Sequence, residues 1–395
     1  MGQTISGLEK IKQISIKKFP GRIGLLTHNA VVDGQFQSSM QVMLQIFGER
    51  LTTFFSPQHG IVGDVQDNMV ESDHFFHPYF QRQVYSLYSE TREPTEQMLK
   101  DVDIVFVDLQ DVGTRVYTYI YTLILMMKKC GELDKKVVVL DRANPLGGQV
   151  IEGNTLESGF ESFVGMLPLP MRHGLTIGEI GLMANQLWGY ECDYEVITLE
   201  HWQREQLCTQ SQFWPHWINP SPNLPTATSA MTFPATVLFE GTNLSEGRGT
   251  TRSLEVFGHP QLAPYAFYPQ LQKALDQAQL TGFHLRAISF LPTFQKHAGK
   301  NCGGYQIHIT NPQSFRPWAL GQILCRELYH ALANDFKWKQ PPYEYNDQQL
   351  PIDLINGCDW PRKWVENNGS SEELMKREEE SRSSFSQLRS EFLLY

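Results

Sequence analysis

The residues able to do chemistry in this chain sit in a few short loops. The densest run is Asp108 to Tyr119, DLQDVGTRVYTY, directly after the apolar run Ile104-Val105-Phe106-Val107. Polar groups packed that closely behind a buried strand are costly unless they are used. They either pair with and cap one another or form the wall of a site. Similar polar loops recur at 56–60 with 64–74, at 141–152, at 170–173, at 220–223 and at 240–250. Gathered on one side of a sheet, they bring together Gln58, His59, Glu71, Asp73, His74, Gln110, Asp111, Arg115, Asp141, Arg142 and Asn144. Tyr88, Tyr117 and Tyr119 add rings that could stack on a ligand.

Two carboxyl groups in unlike environments are what glycoside hydrolysis needs. One stays protonated as the acid, and the other acts as base, nucleophile or charge stabiliser. Arg115, Arg142, Arg172 and Arg248 could grip a substrate carboxylate in bidentate fashion. The same set would serve a phosphate or another carboxylate ligand. Metal chemistry is less well supported: His59, His74, His77, His173 and Asp73 lack i, i+4 or C-x-x-C spacing. No G-x-S-x-G elbow offers a serine nucleophile. His201, His216 and His330 read as surface or satisfied core residues. Thr176 and Glu179 have the spacing of a capping box, which accounts for Glu179 without a catalytic role.

Strands and helices must alternate to position these loops, and the pattern supplies them. Short buried strands are predicted at 22–27, 51–55, 84–88, 104–107 and 136–140, with helical spacing at 39–47, 95–100 and 118–130. Strand and helix alternating, with polar loops after the strands, predict a doubly wound, Rossmann-like α/β domain. No G-x-G-x-x-G follows the first strand, so no dinucleotide cofactor is expected. From about 150 to 260, Gly, Pro and polar loops dominate, with one clear helix at 176–188 and a strand at 193–199. A helix from about 265, strands at 283–290 and 305–310 and a helix at 318–333 predict a smaller α+β auxiliary domain. The expected partition is 1–260 for the Rossmann-like domain with most of the site loops, 261–365 for the auxiliary domain, and 366–395 for a charged, helix-prone tail that is solvated or oligomeric.

The chain has 395 residues, 41% hydrophobic and 19% charged, as in an ordinary globular protein. Its net charge of −10 argues against nucleic acid or an anionic membrane as partner. No apolar run approaches the roughly 18 residues of a membrane span. The six cysteines form no C-x-x-C pair, and reduced thiols in a cytoplasmic protein are expected. Oligomeric state is not legible.

Many long motifs, in order, resemble the exo-β-N-acetylmuramidase family of glycoside hydrolases, long catalogued as a domain of unknown function. They are SPQHG (56–60), YSLYSETREPT (85–95), DLQDVGTRVYTYI (108–120), LDRANPLGG (140–148), IEG (151–153), LPMRHGLTIGE (169–179), PSPNLPT (220–226), FEGTNLSEGRGTTR (239–252) and FLPTFQKHAGKNCGGYQIHIT (290–310). The resemblance implies a cleft between the two domains, no cofactor, and release of N-acetylmuramic acid from non-reducing ends of bacterial peptidoglycan fragments, as in cell-wall recycling. The partner would be a small saccharide or muropeptide. Its lactyl carboxylate would explain arginines in the cleft. The implied contacts are Gln110, Asp111, Arg115, Tyr117, Arg142, Asn144, Arg172, His173, Asn223, Glu240, Asn243, Glu246 and Arg248, with Gln58 and His59 positioning the substrate.

One position departs from the family pattern. The usual motif is P-E-H-G, with its Glu the favoured catalytic carboxylate, and this chain has Gln58 there. An amide cannot protonate a leaving oxygen. The segment from Asp67 to His74 brings carboxylates of its own, so Glu71 or Asp73 is expected to supply the acid. The alternative is a sugar-binding relative, non-catalytic or of altered specificity.

Overall fold

The computed structural model describes residues 4–64, 66, 69–214 and 216–395. Asp67, in the acidic segment noted above, lies outside them. A capped helix, α1 (Gly7–Ile11), precedes β1 (Ile23–Thr27), α2 (Ser39–Phe47) and β2 (Leu51–Ser56). Next come a hairpin of β3 (Phe75–His77) and β4 (Arg82–Ser86), the short α3 (Glu96–Leu99), β5 (Ile104–Asp108), α4 (Tyr119–Glu132) and β6 (Lys136–Leu140). A β7 (Glu152–Thr155) and β8 (Pro170–Arg172) pair leads to α5 (Ile177–Trp188) and β9 (Asp193–Ile197).

Seven strands form one sheet in the order β3-β4-β2-β1-β5-β6-β9. Every pair is parallel except β3 with β4. β1 and β5 are buried throughout, which is why they read as unbroken apolar runs. From β1 the chain moves outward to β2 on one side; from β5 it moves to β6 on the other. The β1/β5 boundary is therefore the switch point, where the crevice of a doubly wound sheet opens at the carboxyl ends.

The second part begins with α6 (Ala227–Thr236) and β10 (Val256–His259), then α7 (Pro264–Gln277), β11 (Phe283–Phe290), β12 (Cys302–Ile309) and α8 (Pro317–Leu332). The strands make an antiparallel sheet in the order β10-β12-β11. Three helices close the chain: α9 (Pro351–Asn356), α10 (Trp360–Glu366) and α11 (Ser371–Arg389). The Rossmann-like sheet and the smaller α+β unit are both present, as the sequence pattern predicts.

Two features differ from expectation. α6 lies in the stretch read as loops. It holds Pro234, and every residue from Ser229 to Thr236 is buried, so it shows no amphipathic stripe to detect. The charged tail is not simply solvated. Leu374 and Phe385 of α11 are buried, Glu378 accepts the Gly153 N–H at 3.1 Å, and Ser381 accepts the Thr155 N–H at 2.9 Å. The tail thus covers the open edge of β7, removing an unpaired strand edge. All six cysteines are buried and unbridged.

Candidate active site

The polar run after β5 folds back against the ends of β6 and β8. Asp111 accepts the Gly113 N–H at 2.6 Å. Gly113 has φ of +74°, and an added Cβ would collide with the Asn144 amide, so only glycine fits. Asn144 donates to Leu175 O at 2.9 Å and accepts from Leu146 N at 2.8 Å. Arg115 is fully buried and donates to three carbonyls: Asn154 and Leu169, both at 3.0 Å, and Ile355 at 2.7 Å. It joins the two halves of the molecule. Arg172, also buried, donates to Leu146 O and lies close to Glu152, whose carboxyl burial pushes up to about 7. Arg142 forms a two-point ion pair with Asp108, at 2.5 and 3.1 Å. The expectation that these arginines grip a substrate carboxylate does not fit the geometry of Arg115, whose guanidinium donates to three carbonyls inside the protein.

Across the cleft, the loop after β2 turns sharply: His59 has φ of +70° and Gly60 +75°. This turn presents Gln58 to a small cavity of about 50 Å³ between the two halves. The lining includes His59, Tyr117, Thr118, Ser221, Glu240, Arg248, Tyr343 and Glu344 beside Val116, Phe233 and Leu254. Thr118, at the start of α4, makes no capping bond; its hydroxyl donates to Gln58 Oε1 at 2.7 Å instead. That contact fixes the amide orientation and leaves Gln58 Nε2 as a donor toward Glu344. The Tyr88 hydroxyl donates to Glu344 Oε2 at 3.0 Å.

Glu344 is the carboxyl that sequence reasoning missed. Burial pushes it up to about 7, with Glu240 adding to the rise and Tyr88, Arg92 and Gln58 opposing it. It therefore holds a proton near neutrality, as a general acid must. Its backbone is also unusual. Tyr343 and Asn346 exchange hydrogen bonds at 3.0 and 2.9 Å across a tight turn. The two central residues, Glu344 (φ 44°) and Tyr345 (φ 66°), are both left-handed, a conformation that favours Gly or Asn. The turn thus holds the buried acid in a backbone conformation that costs energy for a non-glycine residue. The sequence carries one faint signal, the run PPYEYN, with an acid between aromatic residues.

A charge network holds this turn from behind. Arg248 pairs with Glu240 and, at 3.1 Å, with Glu246; Lys296 pairs with Glu246 at 2.9 Å. These cations hold the buried Glu246 carboxyl below its usual range against the opposing effect of burial. Tyr343 donates to Glu240 Oε2 at 3.0 Å. Glu240 and Arg248 thus line the cavity, while Glu246 braces them.

The structure does not bring Glu71 or Asp73 into this lining. Both are exposed. Glu71 lies at the outer rim, accepting from the Tyr345 hydroxyl at 3.0 Å and pairing with Arg92 at 3.3 Å. Arg92 in turn sits over the Tyr88 and Tyr345 rings, 4.3 and 3.8 Å from their centroids. Glu71 is a latch on the outside of the Glu344 turn, away from the residues that line the cavity. Asn223 donates to Gln66 O at 2.6 Å behind the cavity wall. Asn243 donates to Asp335 O and accepts from Lys337 N, both at 2.8 Å, and does not line the cavity. His173 Nδ1 accepts from Leu175 N at 3.1 Å, so its Nε2 carries the proton and faces Asp111 at 3.7 Å. Gln110 lies further along the crevice and donates to Asp111 O and Ala143 O. Among the described residues no group of three or more His, Cys, Asp or Glu is arranged to hold a metal ion.

A doubly wound sheet facing a buried, protonatable carboxyl from a second unit is an arrangement suited to acid–base chemistry. The family described as exo-β-N-acetylmuramidase NamZ matches on both sides of the cleft: its N-terminal model covers residues 23–228 and its C-terminal model 231–395. The chain belongs to this family of exo-acting glycosidases. It is 38% identical over 374 residues to the peptidoglycan β-N-acetylmuramidase NamZ of Bacillus subtilis, covering 95% of this chain and 87% of that protein. Crystal structures of two DUF1343 family proteins from Bacteroides fragilis are similar, with TM-scores of 0.86 and 0.73. Each is 27% identical, and each match covers all of this chain and 99% of the other. No helix among the described residues is long and apolar enough to cross a membrane.

Proposed function

We propose that this protein releases N-acetylmuramic acid from the non-reducing ends of peptidoglycan fragments, with Glu344 as the general acid. The observation that carries the reading is the Glu344 carboxyl, buried beside Gln58 and pushed up to about 7. Its proton goes to the glycosidic oxygen as the bond to the anomeric carbon breaks, and water completes the hydrolysis. Glu240, lining the same cavity, is the second carboxyl. Gln58 takes a positioning role: its amide donates to Glu344 and holds the acid toward the cleft. The cavity of about 50 Å³ has room for water and not for a sugar ring. Substrate entry therefore requires the Tyr343–Asn346 turn to move off Gln58.

The test is mass-spectrometric detection of N-acetylmuramic acid released from a muramic-acid-terminated disaccharide. Wild type should release it, and Glu344→Gln should lower kcat/KM by about 10²–10⁴-fold, the usual weight of a general acid. Equal turnover by Glu344→Gln would overturn the assignment. The amide at Gln58 favours one other reading, a sugar-binding relative without turnover. Binding of the disaccharide by wild type with no release would establish that reading instead.

A further inference from the structure

One edge of the small antiparallel sheet is left open. β11 is its edge strand, eight residues long, and among the described residues it pairs with β12 alone. Ile307 N donates to Glu255 O at 2.9 Å, and Thr310 N to Gly282 O at 2.8 Å. Odd-numbered residues of β12 therefore turn their backbone groups toward β10, and even-numbered ones toward β11. On β11 this leaves Phe283, Leu285, Ala287 and Ser289 with N–H and C=O groups aimed away from the sheet. No other backbone among the described residues pairs with them.

The other strand edges are guarded. β3 is three residues long, and β9 carries Asp193 and Glu195. Ser245 bridges β10 at Gly258, Thr114 bridges β8 at Arg172, and α11 covers β7. Short strands, charges and covering segments are how folded proteins keep edges from pairing. β11, FHLRAISF, holds no acid, lysine, proline or glycine. Its one arginine leans back onto β12, with Arg286 donating to Gln306 at 2.6 Å and to His308 at 3.2 Å. In a chain of net charge −10, this is a run where two copies can meet without acid facing acid.

We infer that a second copy of this chain adds its own β11 here, antiparallel, about a twofold axis at Ala287. The run from Phe283 to Leu291 is centred on that residue. Ala287 meets the partner's Ala287 at the axis, Leu285 meets the partner's Ser289, and Phe283 meets the partner's Leu291. Leu291 is 50% exposed in one copy. On the outer face Arg286 meets the partner's Ile288, and His284 the partner's Phe290. An axis one residue earlier would set Arg286 against Arg286, a like-charge pair that costs stability. An axis one residue later would leave Phe283 and His284 unpaired. At Ala287 the two three-stranded sheets become one of six strands, and the outward N–H groups gain acceptors.

The test is sedimentation equilibrium of the full-length protein over a concentration series. Wild type should approach twice the 45.3 kDa of one chain as concentration rises. Ala287→Pro removes the N–H at the axis. That N–H points outward, so the strand keeps its bonds to β12. The variant should weaken the dimer by about tenfold or more, with circular dichroism unchanged. Two further variants read the register. Ile288→Lys sets a like charge against the partner's Arg286 and should weaken the dimer about tenfold, since the twofold makes the change twice. Ile288→Glu sets an opposite charge there and should dimerise at least as tightly as wild type. A monomer at every concentration overturns the pairing, as does a dimer that Ala287→Pro leaves intact. Equal effects of the two Ile288 variants overturn it as well.

Discussion

The polar wall from Gln110 to Arg115 and the turn from Tyr343 to Asn346 use polarity in opposite ways. The wall is dense in charge and amide groups, yet Arg115 and Asn144 are both consumed by backbone partners. The turn has a single acid, and its surroundings keep that acid protonatable. Polar residues that join elements and polar residues that react look alike in a sequence. They separate once burial and partners are known.

Substitution at the two places should therefore break different things. Glu344→Gln should cut turnover by the factor given above with thermal stability close to wild type. Arg115→Met should do the reverse. Three buried carbonyls lose their donor, each worth about 1–3 kcal/mol, so stability should fall by roughly 3 kcal/mol or more. Calorimetry on both variants checks this. A normally stable Arg115→Met with impaired substrate binding would show that the wall contacts substrate after all.

The next largest effect is on pH. A general acid with its carboxyl at about 7 gives kcat/KM that falls tenfold per unit above that point. Stability moves in the same direction. Asp141, at about 6, and Glu152 and Glu344, at about 7, are all raised above the carboxylate range of an unfolded chain, about 4. The folded state holds protons that the unfolded state releases, so its advantage is complete below about pH 4 and is lost as pH rises through 6 to 7. Tm should decline between pH 6.5 and 8, above the range where His28, His77, His259 and His297, lowered by burial, act in the opposite direction, and Glu344→Gln should shallow that slope. An unchanged slope would mean that Glu344 titrates as an ordinary exposed acid.

The sequence made the sheet legible because β1 and β5 are buried on both faces and run without a polar side chain up to their last residues, Thr27 and Asp108. α5 was legible through its capping box, which forms as spaced, with Thr176 accepting from Glu179 N. α6 was not, because a helix buried on all sides has no periodicity. Of the residues singled out from the sequence, Gln58, His59, Tyr117, Glu240 and Arg248 line the cavity. Glu344 was hidden because its chemistry comes from burial against Tyr88 and Gln58, contacts spanning 256 and 286 positions (the latter 344 less 58). No local spacing encodes such a contact.

The smallest expected effect sharpens the same contrast. Glu71 touches the outside of the turn through Tyr345 and Arg92, at an exposed ion pair, and such pairs contribute about 0–1 kcal/mol. Glu71→Gln keeps an acceptor for the Tyr345 hydroxyl, and Asp73 is exposed. Both Glu71→Gln and Asp73→Asn should change kcat/KM by less than about fivefold, the upper edge for losing that pair. Salt should act in the same small way, since an exposed latch is screened at high ionic strength while the buried Tyr88–Glu344 contact is not. A loss in Glu71→Gln as deep as that in Glu344→Gln would move the acid to the rim and leave the buried turn as scaffold.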